Sequence, residues 1–417
     1  STRSFTGLFT HHGPLLAKRD GQFISLRADN RLAAGLIQCW LRTKATRFSE
    51  FKKTLDLRGN MSDNTVYADA EGNIAYWHGN RVPIRDRAYN WNKPVDGSVS
   101  ATEWKGLHPV SELVQSINPP NGWLQNCNST PYTVAGINSP NKKKYPVYMA
   151  PDGENFRGVS AVRVLDEEKK YTIDKVIRAG YDTRLSAFEV LIPALIRVYE
   201  RTVFDTIFPN LEEAMSILKK WDYRSGENSV ATTLAVEWGE RLLPAINRTA
   251  PPEGSEDIVS KTNRFAETAS VHELIMPLLV VIEQLQTRFG DWRIPWGKVN
   301  RFKRISSDID NLFYDSKPSY PVGFASSAWG MLPSYISRTF PGTKKRYGVH
   351  GNSFICAVEF GKKIKARSLL AGGESGNENS KHFFDQGLMY STGEFKDVLF
   401  YKEDVLKHVE RKYHPGE

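Results

Sequence analysis

Cysteine is scarce in this sequence, and the cysteines that occur indicate no paired chemistry. Cys39, Cys127 and Cys356 lie far apart, and no CxxC pair is present. Structural zinc sites and disulfide-rich folds need closely spaced or numerous cysteines, so the sequence predicts neither of them. The redox compartment is left open by this count.

Nucleotide- and metal-binding motifs are also missing. The sequence contains no Walker-type glycine loop, no GxGxxG after a predicted strand and no HExxH. These absences argue against nucleotide binding and against a zinc protease of the HExxH type. Among nine histidines, only His11 and His12 adjoin. Neighbouring residues of a strand point to opposite faces, so we expect these two histidines not to bind one metal together.

Long hydrophobic runs are absent as well. The longest apolar run falls within MPLLVVI at 276–282, far short of the roughly 18 residues of a membrane span, so no membrane partner is predicted. The net charge of +9 comes from basic clusters that lie far apart and lack a nucleic-acid motif. We therefore expect solvated basic faces and no nucleic-acid partner. The first residues lack a charged segment followed by an apolar one, which indicates either no signal peptide or a processed product.

The sequence does contain enough apolar material for a large core, in a mixed α+β pattern. Of its 417 residues, 40% are apolar and 12% are aromatic, which predicts one large domain or two to three lobes. Hairpin patterns at 5–27 and around Gly72 flank two helical patterns, RLAAGLIQCWLR and RFSEFKKTLDL. Helical spacing then dominates to about residue 290, and strand patterns return in NSFICAVEF, ARSLLAGG and VLFYKED. We predict a first part of a sheet core at 1–165, a helical lobe at 166–290 and a second part of the core at 291–417.

One proline-bounded loop, NPPNGWLQNCNSTP at 118–131, is unusually rich in side-chain amides. Asn121, Gln125, Asn126 and Asn128 surround one tryptophan and one cysteine. Turn chemistry accounts for such a composition, because asparagine and proline supply the local hydrogen bonds and φ values of turns. The alternative is that one amide faces a substrate.

Six motifs occur along nearly the whole chain, from about residue 5 to 405. They are THHGPLL, NTVYADAEGNIAYWHGNRVPIR, EWKGLHP, NPPNGWLQNCNSTP, YMAPDGENFRGVSAVRVL and AGGESGNENSKHFFDQGLMY. In order and spacing the set resembles the β-subunit of the penicillin acylase family, which includes cephalosporin and acyl-homoserine-lactone acylases. The resemblance implies an N-terminal-nucleophile hydrolase with an αββα sandwich, incomplete here, and a helical lobe. It also implies cleavage of the amide bond of an acylated small molecule: a β-lactam, an N-acyl amino acid or an N-acyl-homoserine lactone.

The resemblance implies site residues as well. In this family a terminal serine attacks the amide, with its own α-amino group as base, and an asparagine stabilises the oxyanion. The family pattern places this donor at Asn128 within GWLQNCN, with Asn126 in a supporting position. It places the arginine that organises the site at Arg157 within GENFRGVSAVRVL. Without the resemblance, Asn128 reads as a turn residue and Arg157 as a surface residue.

The start of the chain departs from the family pattern. In the family, the strand ending in HGP lies more than about a hundred residues after the nucleophile, whereas HHGP begins here at residue 11. We therefore expect the C-terminal portion of a β-subunit, with its nucleophile upstream and no activity alone. In an alternative, Ser1 is itself the processed terminus and the nucleophile. A different alternative is a non-catalytic binding protein that keeps the acylase fold.

The resemblance finally implies partners and a location. An α-subunit and the N-terminal part of the β-subunit would complete the enzyme after autoproteolytic processing, in the periplasm or outside the cell. No cofactor is required. A structural calcium ion is compatible with the family, with candidate oxygens after Arg85 and near Asp152, although their spacing does not assign it. Aromatic, aliphatic and dicarboxylic acyl groups all stay candidates.

Overall fold

The computed structural model divides, by the density of its internal contacts, into two compact units. The first unit is Ser1–Asn126 with Thr130–Asp152, and the second is Cys127–Ser129 with Gly153–Glu417. The described residues are 2–28, 33–60, 63–204, 208–250, 257–305 and 312–416. The three segments that the sequence predicts stay a prediction.

The first unit contains short antiparallel strands and two helices. One sheet has the order β1-β2-β3 and another has the order β4-β5-β6. The elements are β1 (Phe9–Thr10), β2 (Gly13–Arg19), β3 (Gln22–Ser25), α1 (Ala33–Arg42), α2 (Phe48–Thr54), β4 (Thr65–Ala68), β5 (Ile74–Trp77) and β6 (Gln115–Ile117). The two hairpins and the two helices that the sequence predicts in this part of the chain are thus confirmed, but the first predicted strand, residues 5–16, is wrong in part because the chain turns at residues 11–12.

Turn chemistry closes the hairpin between β4 and β5. The Asp69 carboxylate accepts hydrogen bonds from the backbone N–H groups of Glu71 and Asn73, each at 2.9 Å. Gly72 has a φ of 89°, which costs glycine little because it has no Cβ. The hairpin turn predicted around these residues is therefore confirmed.

Strand β5 presents its two faces to different apolar clusters. Ala75 and Trp77 are fully buried with Leu55 and Leu113. Tyr76 lies between them in sequence and packs with Val134 instead, because successive strand residues point to opposite faces. The strand thereby directs the Tyr76 side chain toward the segment that follows the amide-rich loop.

The second unit begins with a long series of helices. These are α3 (Phe156–Glu167), α4 (Ile173–Gly180), α5 (Phe188–Arg201), α6 (Pro209–Lys219), α7 (Val230–Arg248), α8 (Ile258–Thr268), α9 (Val271–Phe289) and α10 (Trp296–Val299). Helix α9 begins with a capping box formed by Ser270 and Glu273, and it ends at Gly290 in the left-handed region. Within the described ranges no single helix has the length and apolarity of a membrane span, and α8 and α9 reach both only together, across a bend of 101°.

Helical periodicity builds the core of this unit. Phe188, Leu191 and Leu195 of α5 are fully buried, at the i, i+3, i+7 spacing of one helix face. In α7, the buried Trp238 indole N–H donates to the Leu274 carbonyl of α9 at 2.9 Å. Burying such large apolar side chains contributes about 1.5–3 kcal/mol each. The amphipathic helices predicted in this region are confirmed.

Two further sheets complete the second unit. One has the order β8-β7-β10-β9 and the other has the order β11-β12-β13. The elements are β7 (Asn300–Phe302), β8 (Tyr320–Pro321), β9 (Tyr335–Arg338), β10 (Arg346–Gly351), β11 (Phe354–Glu359), β12 (Lys365–Leu370), α11 (Gly387–Thr392), β13 (Lys396–Asp397) and α12 (Lys402–Lys407). Strands β11 and β12 confirm two predicted strands.

The third predicted strand of this region, VLFYKED at 398–404, is wrong. Its last residues begin helix α12, and its first residues are in no regular element. The acidic residues Glu403 and Asp404 lie in the first turn of that helix, where the positive end of the helix dipole favours them. Local charge therefore outweighed the β propensity of the preceding apolar residues.

Candidate active site

Most amides of the loop 118–131 are used in turns. Asn118 has a φ of 47°, and its side chain accepts from the Ile74 N–H at 2.8 Å. Asn121 donates to the Trp123 carbonyl at 3.3 Å. The Gln125 side chain donates to the Thr133 carbonyl at 3.5 Å. For these residues the turn interpretation is correct.

Asn128 differs from the other loop amides, because its side chain is held by a distant charged residue of the same unit. Its backbone is left-handed, with a φ of 54°, and the residue is exposed. The Arg157 guanidinium donates to Asn128 Oδ1 through Nη2. A guanidinium has only donors, so this contact fixes which end of the amide is the oxygen. The Nδ2 group then lies on the other edge of the amide as a hydrogen-bond donor.

Asn155 and Arg157 together fix the backbone at Asn128. Arg157 Nη2 also donates to the Cys127 carbonyl at 2.6 Å. Asn155 Nδ2 donates to the carbonyls of Cys127 and Asn128, at 3.1 and 3.2 Å. The Asn155 Oδ1 atom accepts from the Gly158 N–H at 2.9 Å and so caps helix α3. The segment 127–129 is thus tied to the start of this helix.

The start of α3 also brings positive charge next to Asn128. Arg157 is the second residue of the helix, at the end where the macrodipole is positive and a cation is disfavoured. Its Nε atom is buried and has no hydrogen-bond partner among the described residues. An arginine in this place costs helix stability, and the combined positive field favours negative charge near the Asn128 amide.

Close packing at Gly158 keeps the two segments together. A Cβ added at Gly158 would lie 2.7 Å from the hydroxyl oxygen of Ser129 and 2.4 Å from Oε1 of Glu154. Ser129 is buried. Only glycine therefore allows α3 to approach the residue after Asn128 this closely.

Cys127 adds no nucleophile to this site. Burial raises the pKa of the Cys127 thiol to about 11, although the nearby Arg157 charge acts in the opposite direction. The thiolate is the reactive form of cysteine, so the side chain is a neutral thiol at neutral pH. The chemistry that the site supports is hydrogen-bond donation to a developing negative charge.

Asn126 belongs to the first unit and takes part in a hydrogen-bond chain there. Its side chain hydrogen bonds to Tyr76. The Tyr76 hydroxyl and His78 Nδ1 are 2.8 Å apart, and His78 Nε2 and the Asp152 carboxylate are 3.0 Å apart. The His78 contact holds the pKa of Asp152 below its usual range, whereas burial raises the pKa of Tyr76. The supporting role predicted for Asn126 stays a prediction.

The other predicted site features are placed as follows. Ser1 lies outside the described residues. Near the predicted calcium oxygens, Asp86 already accepts from the Ala88 N–H at 3.0 Å, and Asp152 contacts His78. Neither carboxylate belongs to a cluster of three candidate metal ligands in the described ranges. These residues alone do not fit a calcium ion, which needs six to eight oxygens, so calcium is a prediction of the resemblance only.

Sequence reasoning missed two residues of the site, Asn155 and Gly158. The available pattern was an asparagine directly before a helical segment, which is a typical N-cap. The second use of that amide, to hold the carbonyls of Cys127 and Asn128, has no local pattern because the residues are 27 and 28 positions apart.

Comparisons with known proteins identify the family of the chain. The family model for penicillin amidase matches residues 1–407. Penicillin G acylase of Escherichia coli is 27% identical over 179 residues, which is 41% of this chain and 20% of that protein. Penicillin acylase 2 proenzyme of Pseudomonas sp. (strain SE83) is 29% identical over 131 residues, 30% of this chain and 17% of that protein. The aligned segments thus span at most a fifth of these curated relatives.

A solved structure shows the same fold. The structure of a thermostable penicillin G acylase from Alcaligenes faecalis, in an orthorhombic form, matches with a TM-score of 0.64 and 20% identity. The match covers 99% of this chain and 78% of that chain. This likeness confirms the predicted fold class, α+β with the acylase architecture. The family model, which matches residues 1–407, establishes that the chain belongs to the penicillin amidase family.

Proposed function

We propose that this chain is part of an amidohydrolase that cleaves the amide bond of an acylated small molecule. The substrate class is a β-lactam, an N-acyl amino acid or an N-acyl-homoserine lactone. The reaction passes through an acyl-enzyme on an N-terminal serine that this chain receives from upstream sequence. One observation carries the proposal: the Arg157 guanidinium holds Oδ1 of Asn128, which presents the amide N–H group as a donor.

The chain's own residues act on the negative charge of the reaction. When the serine hydroxyl attacks the substrate carbonyl, the hydroxyl proton passes to the serine's α-amino group and the carbonyl oxygen becomes negative. The ammonium group then gives that proton to the amide nitrogen, the C–N bond breaks, and the amine leaves the acyl-enzyme ester. Asn128 Nδ2 donates to that oxygen, and Arg157 prevents rotation of the amide. One such donor is worth about 3–4 kcal/mol of barrier. The acyl group leaves when water attacks the ester and the same donor stabilises the second oxyanion.

The proposal includes a multi-chain assembly. The matched Pseudomonas relative is named a proenzyme, which supports processing of a longer precursor. An α-subunit and the N-terminal part of the β-subunit would then be the partners of this chain. Export to the periplasm or beyond belongs to the same proposal, because it follows the habit of the family. This polypeptide alone would not hydrolyse substrates.

The test is the Asn128→Ala substitution in the complete assembly. We expect kcat for a reactive acyl amide to fall about 10²–10³-fold, because one oxyanion donor is lost. The thermal midpoint should fall only slightly, because alanine in the left-handed backbone of this exposed residue costs about 1 kcal/mol and the chain stays folded. Asn121→Ala is the matched control, because it removes an amide of the same loop that only donates to Trp123. Equal loss of activity in both variants would contradict a specific role for Asn128.

The binding-protein alternative has its own outcome in this experiment. A panel of aromatic, aliphatic and dicarboxylic acyl amides is offered to the unmodified assembly. Turnover of any member supports the hydrolase. Saturable binding of the panel without release of acid, in an assembly that includes the upstream chain, would replace the hydrolase by a non-catalytic binding protein.

A further inference from the structure

The turn between β1 and β2 brings two histidines and a glutamate together in the first unit. His11 Nε2 lies 3.0 Å from Glu103 Oε1, and His12 Nδ1 lies 3.7 Å from the same oxygen. The two imidazole centroids are 3.8 Å apart. One candidate ligand atom from each residue lies within 4.8 Å of the other two.

This arrangement corrects an expectation from the sequence. His11 and His12 were expected to point to opposite faces because strand neighbours do so. They form the turn itself, between β1 (Phe9–Thr10) and β2 (Gly13–Arg19). A turn reverses the chain direction within these two residues, so both rings reach the same side.

The hydrogen bonds of His12 leave a lone pair directed at a carboxylate. His12 Nε2 and the Gly97 carbonyl oxygen are 2.8 Å apart, and because a carbonyl oxygen only accepts, Nε2 carries the proton. In the neutral ring, Nδ1 is then an acceptor. It faces Glu103 Oε1, which is an acceptor too, at 3.7 Å. Two acceptors facing each other are stabilised by a cation placed between them.

Two of the three side chains, His12 and Glu103, are held in place by their surroundings. The side chain of His12 is only 14% exposed, and its Nε2 would lie 2.9 Å from a Cβ added at Gly97. Arg27 donates to the second oxygen of Glu103 at 2.8 Å and lies 4.4 Å from the Trp104 ring centroid. A backbone carbonyl on the far nitrogen of a histidine is the usual support of a metal ligand.

We propose that His11 Nε2, His12 Nδ1 and Glu103 Oε1 bind one divalent transition-metal ion of the zinc type. Two imidazole nitrogens and one carboxylate oxygen are a typical zinc ligand set. When the ion binds, the proton of the neutral His11 ring moves from Nε2 to Nδ1. The ring therefore does not have to lose a proton. His11 is 69% exposed, so the fourth position of the ion faces solvent.

The ion has a structural role in this proposal. Glu103 and Gly97 lie in one segment, and the histidines lie in the hairpin formed by β1, β2 and β3 (Gln22–Ser25). Most residues of this hairpin are exposed, and few apolar contacts hold it. A metal bridge would therefore fasten the hairpin to residues 97–103. The inference is independent of the proposed hydrolase function.

The test is direct metal binding to the 417-residue chain. The exposed thiols Cys39 and Cys356 are first alkylated, so that they cannot bind metal. Zn²⁺ is titrated by calorimetry, and Co²⁺ is followed by its visible d–d absorption. We expect one ion per chain, and an affinity at least about tenfold lower in His11→Ala and in Glu103→Gln.

Two controls complete the test. His382→Ala removes a histidine of an exposed pair, in which His382 Nδ1 and Asp385 Oδ2 are 2.7 Å apart, and it should leave the affinity unchanged. Zn²⁺ should also slow tryptic cleavage at Lys18 and Arg19 in the parent chain, but not in His11→Ala. Absence of stoichiometric binding, or binding that His11→Ala and Glu103→Gln leave unchanged, would overturn the proposal.

Discussion

At the scale of single residues, Asn126 and Asn128 lie two positions apart but make different kinds of contact. Asn126 is part of a chain of hydrogen bonds through Tyr76, whereas Asn128 is oriented by one charged donor, Arg157. The amide of Asn128 is exposed and fixed in rotation, and these two properties together suit it to contact a ligand. The sequence pattern alone gives both residues the same appearance.

The pH dependence of folding stability in Asp152→Asn tests the hydrogen-bond chain that contains Asp152. The His78 contact lowers the pKa of Asp152 in the folded chain. Its contribution to stability is therefore present above the unfolded pKa of about 3.9 and is lost as pH falls through the lower folded value. Because Asp152 is half exposed, we expect the variant to lose up to about 1 kcal/mol at pH 7.

The measurement compares urea denaturation of both chains at pH 7 and at pH 3. The difference between them should shrink at the lower pH, because pH 3 lies below the unfolded pKa of about 3.9 and the contribution of the ionised carboxylate is lost progressively from there. Asp166→Asn, on the exposed side of α3, is the control and should change stability little at either pH. A difference that is constant with pH would contradict an ionic contribution of Asp152.

In the candidate site, some residue contacts could be predicted from the sequence and others could not. The local turn amides followed from composition, because turn chemistry acts over a few positions. The pairing of Asn128 with Arg157 spans 29 positions and came only from the family resemblance. The convergence of His11 and His12 was missed, because a strand was assumed where the chain turns.

At the scale of elements, a buried arginine joins strand β10 to helix α7 through ion pairs. Arg346 is 7% exposed, and it donates to both carboxylate oxygens of Glu240 and to the Ser337 carbonyl. Burial raises the pKa of Glu240, and the Arg346 charge acts against that rise. The buried Arg346 guanidinium therefore depends on nearby carboxylates for its charge, and Glu237, 12% exposed, contacts it at 3.3 Å as well.

Arg346→Met should destabilise the chain strongly, because it removes a buried cation that contacts both Glu240 and Glu237, and the Glu237 side chain is only 12% exposed. The expected loss is about 3–5 kcal/mol in the free energy of unfolding, measured by urea denaturation. Arg293→Met is a matched control. Arg293 also contacts both oxygens of a glutamate, Glu213, but both side chains are nearly half exposed, so about 1 kcal/mol or less should be lost. Equal losses in the two variants would refute the dependence on burial.

Helices and strands with a long, regular apolar spacing are predicted correctly, and those with a short or irregular pattern are not. Helices α5, α7 and α9 bury continuous apolar faces, and the sequence predicts all three. The failure at 398–404 came from a short apolar run directly before acidic residues, where the pattern is too brief to separate strand from helix. The pairing of β10 with β7 in parallel has no local pattern, since the two strands are more than 40 residues apart.

At the scale of the whole molecule, apolar surface is distributed unevenly. The first residues of the chain and the β1-β2-β3 sheet carry many large apolar side chains that are strongly exposed: Phe5, Leu8, Phe9, Leu16, Phe23 and Leu26. A few exposed apolar residues are normal on any protein, but a concentrated group is typical of a surface that other polypeptide covers. This is consistent with the proposal that further acylase chain is a partner.

Replacing Phe9, Leu16 and Phe23 by serine should reduce the tendency of the isolated chain to associate through apolar surface. The three side chains are 72%, 61% and 61% exposed, so their removal should cost little folding stability. We expect lower binding of an apolar fluorescent dye and less self-association by light scattering. Serine at Ile137 and Val147, which are exposed but lie outside this sheet, is the control and should have little effect. Unchanged dye binding in the triple variant would contradict the prediction.

Because Asn128 is exposed, its side-chain amide is open to slow hydrolysis by water. Hydrolysis of its side-chain amide, an ageing reaction of asparagine, would produce an aspartate at the same position. Arg157 could still bind that carboxylate, now as an ion pair, so the fold would remain. A carboxylate has no N–H to donate, and its negative charge would repel the oxyanion. In the proposed enzyme, stored material would thus lose turnover while it keeps its shape, and it would become more acidic as it does so.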